Sequence, residues 1–364
     1  MSPDSLATEL LALAATVGAA VVLGVFWGAG RGWPRVLVRS VAVGASLATA
    51  SATGLIWVNR QVDTYPTWSS LFGSTDGAAN PIPATPAGEG TAGQIVSFTV
   101  AGKTSGLTLP VYAYLPPGYA GEPAARFPVI EALHGYPGSP LQWFNKLAVA
   151  TVLNHEISAG RMAPTVVVFP YQTPAPMLDT ECTNLVGGAQ AETFLTVDVP
   201  AAARARLHVR AAGWGLVGFS AGGYCATDLA LRHPGEYTVA ASLSGYAEPG
   251  IRIGNGTENT LYNDLWRLKH LPVPAVALYL ACARTDRVSL QDTLALARAA
   301  HGPLSVTTSY INGGGHNAAT WQAMEAPAFD WLSTSLGRPI GLEIPVQPAS
   351  TSPAVPPLTV TPHT

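Results

Sequence analysis

The stretch that decides the reading is Leu216–Ala230, "LVGFSAGGYCATDLA". A short apolar run meets a serine set between two glycines, and an alanine-rich helical pattern follows. Gly218-Phe219-Ser220-Ala221-Gly222 fits G-x-S-x-G, a strand-to-helix turn that exposes a serine hydroxyl at a helix N-terminus. The glycines have a steric purpose, because the tight serine backbone leaves no room for Cβ atoms two residues to either side. Alone the motif is common, and a glycine-rich turn with a capping serine would share it. Its setting, a strand ending at Phe219 and a helix beginning near Ala221, points to a nucleophile.

A serine hydroxyl is a poor nucleophile until a neighbouring base takes its proton. Of the eight histidines, His316 is best placed, in "NGGGHNAATW" after an apolar run ending at Ile311. His233 reads as a helix cap and His134 as a residue that shapes its own loop. His155, His208, His270 and His301 lie in ordinary helical or loop contexts, and His363 in the tail. The base needs an acid to hold its tautomer. Asp286, in "ACARTDR", follows another apolar run, and Glu258 is the rival. Two backbone N–H groups must hold an oxyanion. Ala221 supplies one, and the loop "HGYPGSPLQW" offers Tyr136 for the other.

Outward from this corner, strand and helix patterns alternate. Ile95–Val100 and Leu107–Leu115 form an opening antiparallel pair. Val129–Leu133, Thr165–Phe169, Gly215–Phe219, Val239–Ser244, Ala275–Ala281 and Ser305–Ile311 read as buried strands. Lys146–Ala159, Ala221–Arg232, Leu290–Ala300 and Trp321–Leu336 read as helices. The alternation predicts an α/β fold, a mostly parallel central sheet with helices on both faces. Active groups then gather at the strands' carboxyl ends. Residues 246–272 form a cap beside the pocket, with Trp266 and Tyr262 open to either pocket-lining or core roles.

The 364 residues include only 11% charged side chains, against roughly 25% in an average soluble domain. The first sixty explain the deficit. Leu10–Gly30 carries no charge over 21 residues, a helix of roughly 30 Å, enough for a bilayer core. Ser40–Val58 is also uncharged, and Arg31, Arg35 and Arg39 lie between the two. The positive-inside rule places those arginines in the cytoplasm and both flanks of the hairpin outside. A cleaved signal peptide ending near "ATASATG" is the alternative reading. The layout is thus a transmembrane hairpin over 1–60, a juxtamembrane segment and linker over 61–94, a catalytic domain over 95–337, and a Pro-, Ser- and Thr-rich disordered tail over 338–364. A net charge of −3 gives no electrostatic case for nucleic acid.

Three cysteines, Cys182, Cys225 and Cys282, contain no C-x-x-C pair, which argues against zinc. In an oxidising compartment one disulfide and one free thiol is the natural split. Position favours Cys182–Cys225, because the loop of Cys182 should cross the strand ends where Cys225 emerges. The other two pairings stay open.

"LHGYPG", "GFSAGGYCA", "HPGEYTVAASLSGY" and "GGGHNAATW" together resemble the esterase D-type branch of the α/β-hydrolases. That branch includes bacterial carboxylesterases and the antigen 85 mycolyltransferases. The likeness covers roughly residues 95–337, and the N-terminal part looks like membrane-tethered actinobacterial esterases. It implies an α/β-hydrolase fold in which Ser220, Asp286 and His316 are the triad, in that chain order, with Tyr136 and Ala221 as oxyanion donors. It also implies a serine esterase acting on acyl esters outside the cell membrane, with no cofactor and no metal. The mycolyltransferases' aromatic and acidic trehalose site has no recognisable counterpart here. An acyltransferase acting on envelope glycolipid and a non-catalytic carbohydrate-binding relative are the rival readings.

Overall fold

The computed structural model describes residues 2–3, 5–28, 32–62, 65, 68–71 and 92–341. Arg31, most of the proposed linker, and the tail with His363 lie outside the described residues. Two long helices open the chain, α1 (Leu6–Phe26) and α2 (Trp33–Val62). They pack antiparallel, joined by Thr16 and Thr53 hydroxyls at 2.9 Å and by an Arg60–Glu9 ion pair at 2.8 Å. Their most apolar 18-residue stretches have mean hydropathies of 2.2 and 1.6, and both helices are long and apolar enough to cross a membrane. Leu11, Val17, Val21, Leu47 and Leu55 are all more than half exposed. A helix of a water-soluble core buries such residues. The second helix starts earlier than its uncharged stretch, so Arg35 and Arg39 lie on its first turns rather than in a loop. The Arg39 guanidinium caps α1 through the Trp27 carbonyl, at 2.6 and 2.8 Å.

The rest is built on an eight-stranded sheet among the described residues. Its strands are β1 (Gln94–Ala101), β2 (Thr108–Leu115), β3 (Val129–Leu133), β4 (Val166–Pro170), β5 (Trp214–Phe219), β6 (Tyr237–Leu243), β7 (Ala277–Ala283) and β8 (Ser305–Ile311). Their order is β1-β2-β4-β3-β5-β6-β7-β8. β1/β2 and β2/β4 pair antiparallel, and every pairing from β4 to β8 is parallel. The parallel strands β3, β4 and β5 are buried at every position, which is why they read as unbroken apolar runs.

Helices cover both faces. They are α3 (Val149–Ser158), α4 (Val199–Arg206), α5 (Ala221–Arg232), α6 (Asp264–His270), α7 (Arg287–Ala299) and α8 (Ala318–Leu336). Alternate strand residues split between two cores, as a period of two requires. Leu216, Val168 and Leu133 join Tyr224 and Leu229 of α5 on one side. Val217, Phe169 and Ala132 join Met324, Phe329 and Leu332 of α8 on the other. Each such fully buried side chain contributes about 1.5–3 kcal/mol.

Two helical readings need correction. The expected helix Lys146–Ala159 is present but starts at Val149, because Ala148 holds left-handed backbone at φ 55°, and a separate short helix, Leu141–Asn145, precedes it. A helical run over 191–206 containing a π-turn at Phe194–Asp198, and helix α6, carried no readable sequence signal. Pro200 and the buried polar residues Glu192 and Asp198 interrupt the apolar period of the first.

Candidate active site

The turn from β5 into α5 holds Ser220 at φ 55°, ψ −124°, a sparsely populated conformation costing about 1–3 kcal/mol. Its surroundings fix it. The Ser220 N–H donates to the Leu243 carbonyl of β6 at 3.0 Å. A Cβ on Gly218 would lie 2.0 Å from the Gly222 carbonyl oxygen, and one on Gly222 would lie 2.2 Å from that of Leu133. The turn therefore closes against backbone on both sides, and only glycine fits at either position.

His316 arrives from the loop after β8. That loop is held by Asn317, which caps α8 by accepting from the Thr320 N–H at 3.1 Å. It is also held by Gly314 (φ 104°), where a Cβ would sit 2.5 Å from the Thr320 hydroxyl. Trp321 meets the imidazole edge-on at 5.2 Å. Asp286 follows β7 and caps α7, and it is buried. The His316 Nδ1–H donates to Asp286 Oδ2 at 2.7 Å, and His316 Nε2 lies 2.8 Å from Ser220 Oγ as the acceptor of its hydroxyl proton. The structure thus brings Ser220, His316 and Asp286 into one relay. Glu258 lies elsewhere, accepting from the Ile253 N–H at 3.3 Å.

Ala221 is the first residue of α5, where a helix leaves its N–H groups without intrahelical partners and the helix dipole favours negative charge. Tyr136 lies on the loop after β3. In that loop a Cβ on Gly135 would approach Ser220 Cβ to 3.3 Å. The Tyr136 hydroxyl donates to the Met177 carbonyl at 3.0 Å. His134 is buried, with Nδ1 2.8 Å from the Gly135 carbonyl, and burial pushes its pKa down to about 4. It is a neutral loop brace rather than a base.

Cys182 and Cys225 are joined by a disulfide, and Cys282 is a buried free thiol in β7. The bond ties the 171–190 loop to the first turns of α5. Glu181 and Cys182 both hold left-handed backbone there, at φ 42° and 54°. Three residues of this region escaped the sequence reading. Gln172 donates to the His134 carbonyl at 3.1 Å and faces Cys182 Sγ at 3.5 Å, so it stitches the loop after β3 to the disulfide. Glu181 is buried and accepts the Tyr246 hydroxyl at 2.8 Å. Burial, with Asp179 nearby, raises its pKa to about 8. Met177 is the exposed neighbour of Tyr136. The cap residues point elsewhere: Tyr262 is buried, donates to Glu192 at 2.6 Å and lies under the Arg232 guanidinium, while Trp266 stacks on His270.

Residues 103–331 match the family model Esterase, described as "Putative esterase". The chain belongs to the esterase family. This esterase is similar to an uncharacterised protein of Corynebacterium glutamicum, 24% identical over 83% of this chain and 76% of that one. It also matches diacylglycerol acyltransferase/mycolyltransferase Ag85A of Mycobacterium tuberculosis, 36% identical over 63 residues, 17% of this chain and 19% of that protein. An S-formylglutathione hydrolase from Agrobacterium tumefaciens shares the fold, with a TM-score of 0.59 at 15% identity over 71% of this chain and all of that one. The sheet, the helices on both faces and the family together make the domain an α/β-hydrolase and the protein an enzyme of the hydrolase and acyltransferase group.

Proposed function

We propose that the protein is a membrane-anchored serine esterase whose catalytic domain, residues 95–337, lies outside the cytoplasm. The observation that carries this reading is the Asp286–His316–Ser220 relay, with spacings of 2.7 and 2.8 Å. Ser220 Oγ attacks the acyl carbonyl while His316 Nε2 takes its proton. The Ala221 and Tyr136 N–H groups hold the oxyanion. His316 returns the proton to the departing alcohol, and water repeats the sequence to release the acid. Asp286 keeps the Nδ1–H tautomer and stabilises the imidazolium. None of these steps calls on a metal or organic cofactor.

The two apolar helices support the anchor, with Arg35 and Arg39 at the cytoplasmic turn. The Cys182–Cys225 bond fits an oxidising compartment. The local likeness to Ag85A supports a second reading, in which an acceptor hydroxyl replaces water in the second step. Turnover of p-nitrophenyl butyrate by the full chain tests the first reading, and its loss in Ser220→Ala is expected. Acyl transfer to an added sugar alcohol at the expense of hydrolysis would favour the second. A Ser220→Ala protein as active as the wild type would refute both. A periplasm-type reporter fused after Gly73 should be active and one after Arg35 silent; the reverse pattern would refute the topology.

A further inference from the structure

An apolar chamber of about 500 Å³ lies where the hairpin meets the catalytic domain. Its lining includes Ala52, Leu55 and Ile56 from the C-terminal half of α2, and Pro137 and Met177 from the catalytic domain. These last two adjoin the candidate oxyanion donor: Pro137 follows Tyr136 in the chain, and the Met177 carbonyl accepts the Tyr136 hydroxyl. Among the described lining residues the Asn59 amide is already engaged. Its amide donates to the Tyr65 carbonyl at 3.0 Å and accepts the Tyr65 N–H at 2.8 Å, folding the chain back over the end of α2. The Lys146 ammonium donates to the Arg60 carbonyl and ties the helix end to the domain.

The described lining therefore offers a ligand mainly hydrocarbon contact. Burying a polar group there without a hydrogen-bond partner is unfavourable, whereas burying a hydrocarbon chain is favourable. A space of about 500 Å³ has room for a chain of many methylenes. Trp57, in the last turns of α2, and Trp68, in the chamber lining, are both exposed, as aromatic residues are at a membrane–water interface. We infer that this chamber takes the acyl chain of a long-chain lipid ester drawn from the outer face of the bilayer and presents its carbonyl to Ser220 past the 135–137 loop. The inference rests on the Ser220 reading above and adds the substrate class to it.

The test uses the full chain in lipid nanodiscs, with p-nitrophenyl palmitate and p-nitrophenyl butyrate as paired substrates. Leu55→Trp and Ala52→Trp fill the chamber from α2, away from the catalytic groups. The expected result is a loss of at least tenfold in kcat/KM for palmitate with butyrate turnover unchanged. A diazirine-bearing palmitic acid should label the 52–59 and 174–178 peptides even in Ser220→Ala, and Leu55→Trp should abolish that labelling. Equal turnover of palmitate by wild type and both variants, or labelling spread evenly along α1 and α2, would overturn the inference. Butyrate turnover surviving in Ser220→Ala would instead remove the catalytic reading on which it rests.

Discussion

Replacing Gly222 by alanine pits two effects of known size against each other. Alanine favours an exposed helix interior over glycine by about 1 kcal/mol, so propensity alone makes Gly222→Ala stabilising. The new Cβ, however, would sit 2.2 Å from the Leu133 carbonyl oxygen and 2.7 Å from that of His134, inside the 3.0 Å limit that real Cβ contacts respect. Both obstacles are backbone at the end of β3, so no side chain can swing aside. Helix α5 cannot easily retreat either. It is buried along its length, packs on β5 and β6, and is tied at Cys225 to the 171–190 loop. Relief needs a shift of roughly 1 Å between the head of α5 and the loop after β3, at an overpacking cost of about 1–3 kcal/mol. That shift moves the Tyr136 amide away from both Ser220 and the Ala221 amide. Misplacement of this order costs about 10²-fold in rate, and a lost oxyanion donor about 10²–10³-fold. The expected outcome is a 10²–10³-fold fall in kcat/KM for p-nitrophenyl butyrate with a net loss of stability in urea. Gly235→Ala, which meets nothing within 4 Å, should change neither. Wild-type turnover and stability in Gly222→Ala would refute the reasoning.

Asp286→Asn should lower kcat by about 10³–10⁴-fold through the wrong histidine tautomer. Glu258→Gln should leave it within twofold; steady-state kinetics on the pair separates the two acids. Removing the Cys182–Cys225 bond by Cys182→Ala with Cys225→Ala should cost about 4 kcal/mol in the chain-entropy account, given its separation of 43 residues; an unchanged urea midpoint would contradict this. Glu325, buried under α8 without a hydrogen-bond partner, has its pKa raised by burial from 4.5 to about 9. The folded state holds a proton that the unfolded chain releases, so this group lowers stability by about 1.4 kcal/mol per pH unit between those values and not below pH 4. Glu325→Gln should therefore be more stable than wild type at pH 8 and close to it at pH 4, as pH-dependent unfolding would show.

The parallel half of the fold was legible because its physics is local. Strands β3 to β5 are buried on both faces, so their apolar runs and the glycines at 218 and 222 stand out without any knowledge of partners. Asp286 and His316 were readable for a related reason: each follows a strand of the parallel sheet, whose carboxyl ends share one edge, although β8 is an exposed edge strand and not the buried one its apolar run suggested. Gln172, Glu181 and Met177 were not legible. Their roles arise from a loop whose path depends on the bond to Cys225, and their residue types carry no local signal. The break at Ala148 and the π-turn at Phe194–Asp198 escaped for another reason: tertiary packing overrides helical period there, burying polar side chains that a sequence pattern assigns to water. The chamber against α2 lies beyond sequence reasoning altogether, since it exists only where two separately legible parts meet.

The central claim is that Ser220 is a nucleophile made reactive by His316 and Asp286. Incubating the full chain with a fluorophosphonate probe and mapping the adduct by peptide mass spectrometry tests it most directly. The account predicts a single adduct on Ser220, absent in Ser220→Ala and formed at least 10²-fold more slowly in His316→Ala. An adduct on another residue, or equal labelling rates in wild type and His316→Ala, would contradict it.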